Sequence, residues 1–331
     1  MAARLEVRGL TVELPTVRGW IRPVNDVSFT LGAGETLGVV GESGSGKTIL
    51  SLTLMGLEPA GARCTGEALL HPGANGNGTR NLVAASADQM RAVRGREVAM
   101  VFQEPMTALN PVMRVGTQIA EAIRVHDGGL SSAETNIRVL KALERASVPE
   151  PAKRARQYPH QLSGGLRQRV MIAMALAAGP SLLIADEPTT ALDVTVQRQI
   201  LDLLGALQED LRLSMLFITH DLGVVAEVAD RVAVMYAGRI VEEGPVLDVL
   251  RHPQHPYTQG LIAAAPRLKR EKPVSIPGTV PKLDALPPGC AFAPRCGYMR
   301  EECTVAVPKL RRAGENHRAR CVLVKEEVKQ P

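Results

Sequence analysis

The 331-residue sequence predicts an α/β fold with a sheet that is parallel at its centre, and three stretches carry that prediction. The apolar run Thr36-Leu37-Gly38-Val39-Val40 passes through a glycine-rich loop, Gly41 to Thr48, into a helical run beginning Ile49-Leu50-Ser51-Leu52. A second strand-like run, Ser181 to Ala185, ends in the carboxylate pair Asp186-Glu187. From about residue 164 to 250, strand and helix patterns alternate, as crossover connections between parallel strands require.

Taken in order, residues 1 to about 35 read as a β-rich edge. Leu5, Val7 and Val12 fall on alternating positions, and Val27-Ser28-Phe29-Thr30-Leu31 precedes a Gly32-Ala33-Gly34 turn, so an antiparallel sheet is expected here. Residues from about 35 to 107 carry the first half of the core, with a polar insertion, Gly73 to Arg80, that reads as a mobile loop. Between about 108 and 163 the period becomes helical: Val115, Ile119, Ala122 and Ile123, then Ile137, Leu140 and Leu143. Arg231 to Glu242 reads as a hairpin turning at Ala237-Gly238. Beyond about 251 the prolines multiply (Pro253, Pro256, Pro266, Pro273, Pro277, Pro281, Pro287, Pro288), predicting an extended, loop-rich tail that needs a surface to lie on.

Composition limits the function classes. Hydrophobic residues are 45% of the chain but aromatics only 3%, so an aliphatic core is expected. The net charge of +5 is spread along the chain, which does not imply nucleic acid. Lys269, Arg270, Lys272, Arg311 and Arg312 read as a solvated surface or as neighbours of anionic headgroups. The longest apolar segment, Val170 to Ala185, is interrupted by Gly179-Pro180 and is too short to cross a bilayer. Met1 to Glu6 lacks the charged stretch and apolar run of an export signal, so a cytoplasmic chain is expected.

The chemistry lies in five segments. Gly41-Glu42-Ser43-Gly44-Ser45-Gly46-Lys47-Thr48 matches the phosphate-loop pattern, in which Gly41, Ser43, Gly44 and Gly46 turn backbone N–H groups toward a polyphosphate. Lys47 would reach the β- and γ-phosphates of ATP, and the Thr48 hydroxyl would bind Mg²⁺. Asp186 ends a buried strand where it can hold Mg²⁺, and Glu187 beside it can activate water. Leu162-Ser163-Gly164-Gly165-Leu166 opens a helix, putting Ser163 and Gly165 at a second anion-binding N-terminus. Gln103 and His220 each follow an apolar strand, Val98 to Phe102 and Ser214 to Thr219. Two phosphate sites far apart in one chain suggest a nucleotide held between two subunits arranged head to tail.

The order of loop, glutamine, Ser-Gly-Gly, Asp-Glu, Ala191-Leu192-Asp193 and histidine resembles the ATP-binding subunit of ABC transporters, from about residue 4 to the end. The strings Val39 to Lys47, Phe102 to Pro111, Tyr158 to Gly165, His255-Pro256-Tyr257-Thr258 and Pro287-Pro288-Gly289-Cys290 are more closely similar to the ATPase subunits of bacterial oligopeptide/dipeptide importers. That resemblance implies a P-loop NTPase (RecA-like) core with an antiparallel β subdomain. It also implies an ATP-binding domain over 1–250, a helical subdomain at about 108–163 docking on transmembrane partners, and a C-terminal extension over 251–331. It implies Glu187 as general base, His220 bridging to the γ-phosphate, and Gln103 sensing that phosphate and holding Mg²⁺. Ser163 and Gly165 would contact the nucleotide of the opposite subunit, with Asp193 at the seam. The implied partners are two transmembrane permease subunits, a second, related ATP-binding chain and an extracytoplasmic binding protein, which puts the chain peripherally at the cytoplasmic face of the inner membrane. Where the family commonly stacks an aromatic residue on adenine, this sequence has Leu14, leaving Trp20 or an aliphatic contact as alternatives.

Four of five cysteines, Cys290, Cys296, Cys303 and Cys321, fall in the tail, with Cys64 apart. In a reducing compartment, clustered thiols point to a metal rather than to disulfides. The spacing admits a [4Fe–4S] cluster, zinc with His317 replacing a cysteine, or unligated thiols. The resemblance favours [4Fe–4S] as a staple for the tail. The expected function is ATP hydrolysis energising peptide import through separate membrane subunits. The rivals are import of nickel or another solute, a soluble ABC-type ATPase acting on nucleic acid or ribosomes, and a redox sensor gating ATPase activity through the tail.

Overall fold

The computed structural model of the chain describes residues 2–73, 78–104, 108–190, 192–265 and 274–324. Part of the expected mobile insertion (74–77), part of the Phe102 to Pro111 string (105–107), Ala191, and Pro266, Lys269, Arg270, Lys272 and Pro273 lie outside them. The chain forms two compact units, one of residues 1–5, 31–35 and 69–216, the other of 6–30, 36–68 and 217–331.

In the first unit the strand Val98–Val101 pairs in parallel with Leu182–Asp186, Val98 opposite Leu182 and Val101 opposite Ala185. Every residue of both is buried. A strand covered on both faces is apolar throughout, which is why neither shows alternation. The register brings the C-terminal ends level, so Gln103 and the Asp186-Glu187 pair emerge at the same end. Between these strands in sequence, the helices Val115–Arg124, Ser132–Arg145 and Gly164–Leu176 pack through Val115, Ile119, Ile123, Val139, Leu143, Val170 and Ala173. On the middle helix the expected face needs correction. The buried positions are Thr135, Val139 and Leu143, and Ile137 is 63% exposed. Positions i, i+4 and i+8 make one stripe, whereas a residue two places on points away from it.

In the second unit, Gly19–Gly32, Ala3–Thr16 and Arg63–Leu70 lie side by side in that order. Val7, Leu10, Val12, Val24, Val27 and Phe29 turn inward. The strand Thr36–Val40 pairs in parallel with Arg231–Tyr236, Leu37 opposite Arg231 and Val40 opposite Val234. Arg231–Tyr236 then folds back on Arg239–Pro245 as the expected antiparallel hairpin.

The tail departs from the extended, loop-rich reading. Pro256–Ala264 is a helix, with Pro256 at its first position and His255 Nδ1 accepting from Tyr257 N at 3.1 Å. Proline there starts a helix, because the N–H it lacks has no intrahelical acceptor in the first turn. The surface it needs is supplied by the hairpin. Tyr236, Tyr257 and Phe292 meet at ring-centroid distances of 4.5 and 5.4 Å, packed among Val241, Val249 and Ile262. The expectation of a purely aliphatic core therefore fails in this unit, where scarce aromatics converge on one place. Glu242, buried in the hairpin, accepts from Gln254 N (2.7 Å) and His255 N (2.9 Å) and pairs with His317 Nε2 (2.7 Å), tying three segments to one carboxylate. Three partners for one buried carboxylate offset the desolvation that would otherwise forbid it. Among the described residues no helix is long and apolar enough to cross a membrane.

Burial pushes His255 down to about 4, despite the opposing pull of Glu242. The folded state thus holds a neutral imidazole where the unfolded chain takes up a proton near pH 6.5. Stability from this group is intact above that pH and is lost as pH falls toward 4. At pH 5 the loss amounts to about 2 kcal/mol. Denaturant unfolding at pH 7.5 and pH 5 will show a drop in the wild type that is smaller by about this amount in His255→Asn, whose amide oxygen replaces Nδ1 as the helix-capping acceptor and which has no titrating ring.

Candidate nucleotide site

The loop after Val40 is shaped by backbone meeting backbone. A Cβ on Gly41 would lie 2.1 Å from Met235 O, and one on Gly46 would lie 1.8 Å from Pro23 O. Gly46 also has φ +104°, a conformation side chains disfavour, at the point where the chain enters the helix Lys47–Leu54. Its N-cap residue, Gly46, offers no side chain to that helix end. Lys47 is buried and its Nζ donates to Gly41 O (2.8 Å), Glu42 O (3.1 Å) and Ser45 Oγ (3.3 Å). An ammonium drawn into the loop and a helix N-terminus beside it make this a place for an anion. Ser43, Gly44 and Thr48 are exposed, and His220 is an exposed residue just past Ser214–Thr219 in the same unit.

The carboxylates lie in the first unit. Asp186 is buried at the end of its strand. Glu187, next to it, has φ +46°, in the left-handed region that a non-glycine residue occupies at a cost of roughly 1 kcal/mol or more. Its Oε2 accepts from Thr190 Oγ1 at 2.7 Å and from Gln103 Nε2 at 3.3 Å. Gln103 and Glu187, 84 residues apart in sequence, are thus brought together. Ser163 heads Gly164–Leu176, its Oγ accepting from Leu166 N at 3.4 Å, with Gly165 in the first turn. Asp193 heads Val194–Leu211, accepting from Val196 N at 2.9 Å. Thr190 had escaped sequence reasoning, although its place three residues beyond Glu187 in a turn could have suggested it.

Leu14 is half-buried, and Trp20 is 44% exposed with the Arg63 guanidinium 3.9 Å from its ring centroid. One face of the only indole is therefore already occupied by a cation.

The cysteine reading does not fit in the same way. Burial raises the thiol pKa of Cys290, Cys296 and Cys321, and the charges of the cluster's other cysteines add to it. Yet among the described residues no group of three or more His, Cys, Asp or Glu side chains is arranged to hold a metal ion. The expected [4Fe–4S] ligands Cys290, Cys296, Cys303 and Cys321 therefore find no support in this arrangement. His317, the alternative zinc ligand, is engaged with Glu242.

Residues 24–190 match the ABC transporter family. The chain belongs to that family. Residues 241–303 of this ABC protein also match the oligopeptide/dipeptide transporter C-terminal region. It is 52% identical over 328 residues to a Brucella ovis protein named "Putative peptide import ATP-binding protein", covering 96% of each chain, and 51% identical with the same coverage to a namesake in Brucella melitensis. Among solved structures, it resembles the dimeric ATP-binding cassette MJ0796 in a post-hydrolysis state with ADP and Pi at TM-score 0.63 and 27% identity, covering 73% of this chain and 98% of that one. It resembles cbiO1 of Clostridium perfringens, part of the transporter complex cbiONQ, at TM-score 0.62 and 26% identity, covering 76% and 92%. The ABC transporter subunit described here is accordingly an ATPase with the P-loop α/β fold of that family.

ATP and Mg²⁺ are the groups this family implies, and the loop suits the first of them. Its two tight glycines let the loop lie against the backbone of the strands carrying Pro23 and Met235, and its cationic lysine lies inside. Taken singly, the Thr48 hydroxyl, the Gln103 amide and the Asp186 carboxylate are hard oxygen donors of the kind Mg²⁺ takes. Gly46→Ala will drive a methyl into Pro23 O and destabilise the protein by about 3 kcal/mol. Thermal melts together with binding of a fluorescent ATP analogue will register the loss, and a wild-type melt with intact binding would contradict this account of the loop.

Proposed function

We propose that this ATPase powers import of peptides through transmembrane subunits supplied by other chains. The observation that carries the reading is likeness over 96% of the chain to proteins named for peptide import, together with the match of residues 241–303 to the oligopeptide/dipeptide transporter C-terminal region. Nickel and other solutes, and a soluble ATPase working on nucleic acid or ribosomes, have no comparable support. The partners we infer are two permease subunits, a second, related ATP-binding chain and an extracytoplasmic binding protein, with this chain peripheral at the cytoplasmic face of the inner membrane. We take 1–250 as the ATP-binding domain, with its helical part at about 108–163 engaging the permeases, and 251–331 as the importer extension.

In the proposed cycle the N–H groups of Gly41, Ser43, Gly44 and Gly46 cradle the phosphates, and Lys47 neutralises charge on the β- and γ-phosphates. Thr48, Gln103 and Asp186 would hold Mg²⁺, which offsets charge on the phosphate oxygens when bound. Glu187 orients the attacking water and takes its proton as the bond to the γ-phosphorus forms and the bond to the leaving ADP oxygen breaks. Thr190 and Gln103, both donating to one oxygen of that carboxylate, fix its direction. His220 steadies the γ-phosphate. Ser163 and Gly165, at a helix N-terminus, would meet the nucleotide of the partner ATPase, with Asp193 at the seam.

Proteoliposomes holding the whole complex will take up labelled peptide only with ATP. Glu187→Gln will keep ATP affinity while hydrolysis and uptake fall by about 100-fold or more. Uptake that survives without ATP would overturn the import reading, and unimpaired turnover in Glu187→Gln would remove Glu187 as the base. The finer reading of the tail, a [4Fe–4S] cluster on Cys290, Cys296, Cys303 and Cys321, rests on their spacing and on the resemblance alone. Iron and sulfide analysis of anaerobically purified protein tests it: about four of each per chain would uphold it, and absence of either would end it.

A further inference from the structure

The second residue of the phosphate loop is an acid, and an ATPase has to account for it. Glu42 lies between Gly41 and Ser43, in the loop that suits a polyphosphate anion, and is half-buried. A carboxylate in that loop without a compensating cation would add negative charge to an anion site and oppose binding.

The extension after residue 251 supplies the compensation. Arg295 meets Glu42 in a two-pronged contact, Nη1 to Oε2 at 2.8 Å and Nη2 to Oε1 at 3.1 Å. The arginine side chain is only 4% exposed. Its Nε donates to Pro277 O at 2.9 Å, Nη1 also reaches Tyr236 Oη at 3.4 Å, and the guanidinium lies 5.8 to 5.9 Å from the Phe292 and Tyr236 ring centroids. Its orientation is thus determined by four contacts besides the carboxylate. Tyr257 in the same extension accepts from Glu42 N at 2.8 Å, while Lys47 Nζ holds Glu42 O. All three polar parts of Glu42, its N–H, its carbonyl and its carboxylate, are therefore held, two of them by residues more than 200 positions away. A planar guanidinium matches a carboxylate through two parallel bonds, which fixes direction as well as charge.

We propose that Arg295, aided by Tyr257, is a positioning residue of the nucleotide site: it neutralises Glu42 and sets the entry of the phosphate loop, so the C-terminal extension governs ATP affinity. This rests on the chain being an ATPase. Neither residue touches ATP; both act through Glu42.

The test is titration of the full chain with a fluorescent ATP analogue and Mg²⁺, alongside steady-state ATPase kinetics. Arg295→Ala will raise the Kd about tenfold, and the loss will fall on KM for ATP rather than on kcat. Adding Glu42→Gln to Arg295→Ala will recover most of the affinity, because the repelling charge is gone. A role for Arg295 in packing alone would not be repaired this way. Arg295→Lys, with charge kept and the fork lost, will fall between wild type and Arg295→Ala. Wild-type affinity in Arg295→Ala, or a double variant no better than the single, overturns the proposal. If Arg295→Ala does not fold, Arg295→Lys carries the test with and without Glu42→Gln, and equal affinity in wild type and Arg295→Lys overturns it. Lys47→Ala serves as the reference for lost binding. A wild-type chain that fails to bind the analogue would remove the ATPase reading itself, an outcome distinct from a binding wild type whose Arg295 variants are unaffected.

Discussion

The approach of backbone to backbone at the phosphate loop is the constraint on which the rest of the second unit depends. Gly46 meets Pro23 O, and Gly41 meets Met235 O, at distances that exclude a side chain. Such contacts can be made only if the strands carrying Pro23 and Met235 are held in register with Thr36–Val40. The parallel pairing of Thr36–Val40 with Arg231–Tyr236 provides that register for Met235, and Asn25 N, donating to Gly238 O at 2.8 Å, ties the Pro23 strand to the turn of the hairpin. The loop is therefore shaped from outside. Its own residues contribute conformational permissiveness and one buried cation, and the neighbouring strands contribute the walls.

The same logic runs through the extension. A proline-rich segment with few apolar residues would not order itself, because it buries too little to offset its conformational entropy. Here it is held by two kinds of contact. One is the aromatic group of Tyr236, Tyr257 and Phe292, which gathers much of the scarce aromatic surface in one place. The other is Glu242, whose carboxylate serves the segment at Gln254 and His255 and the segment at His317 at once. Having been anchored to the hairpin, the extension lies within reach of Glu42, and a part of the chain remote in sequence becomes a support for the loop. The extension is in this sense continuous with the nucleotide site and not an appendage to it.

In the first unit, local strain marks the chemistry. Glu187 is a non-glycine residue at positive φ, which persists only where surrounding contacts over-determine it. Thr190 and Gln103 supply those contacts, one from the adjacent turn and one from the neighbouring strand end. The parallel register that levels the ends of Val98–Val101 and Leu182–Asp186 makes the second possible. A carboxylate so restrained has a fixed direction, which is what the role proposed for Glu187 asks of it, because catalysis of phosphoryl transfer is mostly positioning and electrostatics.

Local pattern was enough to read the phosphate loop, the strand ending in Asp186-Glu187, the hairpin at Ala237-Gly238 and the helices around Val115 and Gly164, since each is encoded by residues that are near one another in sequence. Where reading failed, the missing information was non-local or ambiguous over a short window. Ile137 fits an apolar stripe by composition, but the partner helices select Thr135, Val139 and Leu143 as the inner face. Pro256 looks like a breaker until His255 is seen capping a helix behind it. The cysteine spacing suggested a site that the arrangement of side chains does not form. Sequence by itself determined the nucleotide chemistry and the order of elements, because glycine, lysine and carboxylate at fixed short spacings leave few other uses. Only the tertiary structure decided that Arg295 and Tyr257 hold Glu42 and that Thr190 and Gln103 share Glu187, because a hydrogen bond depends on distance in space and most of these partners are scores to hundreds of residues apart in the chain.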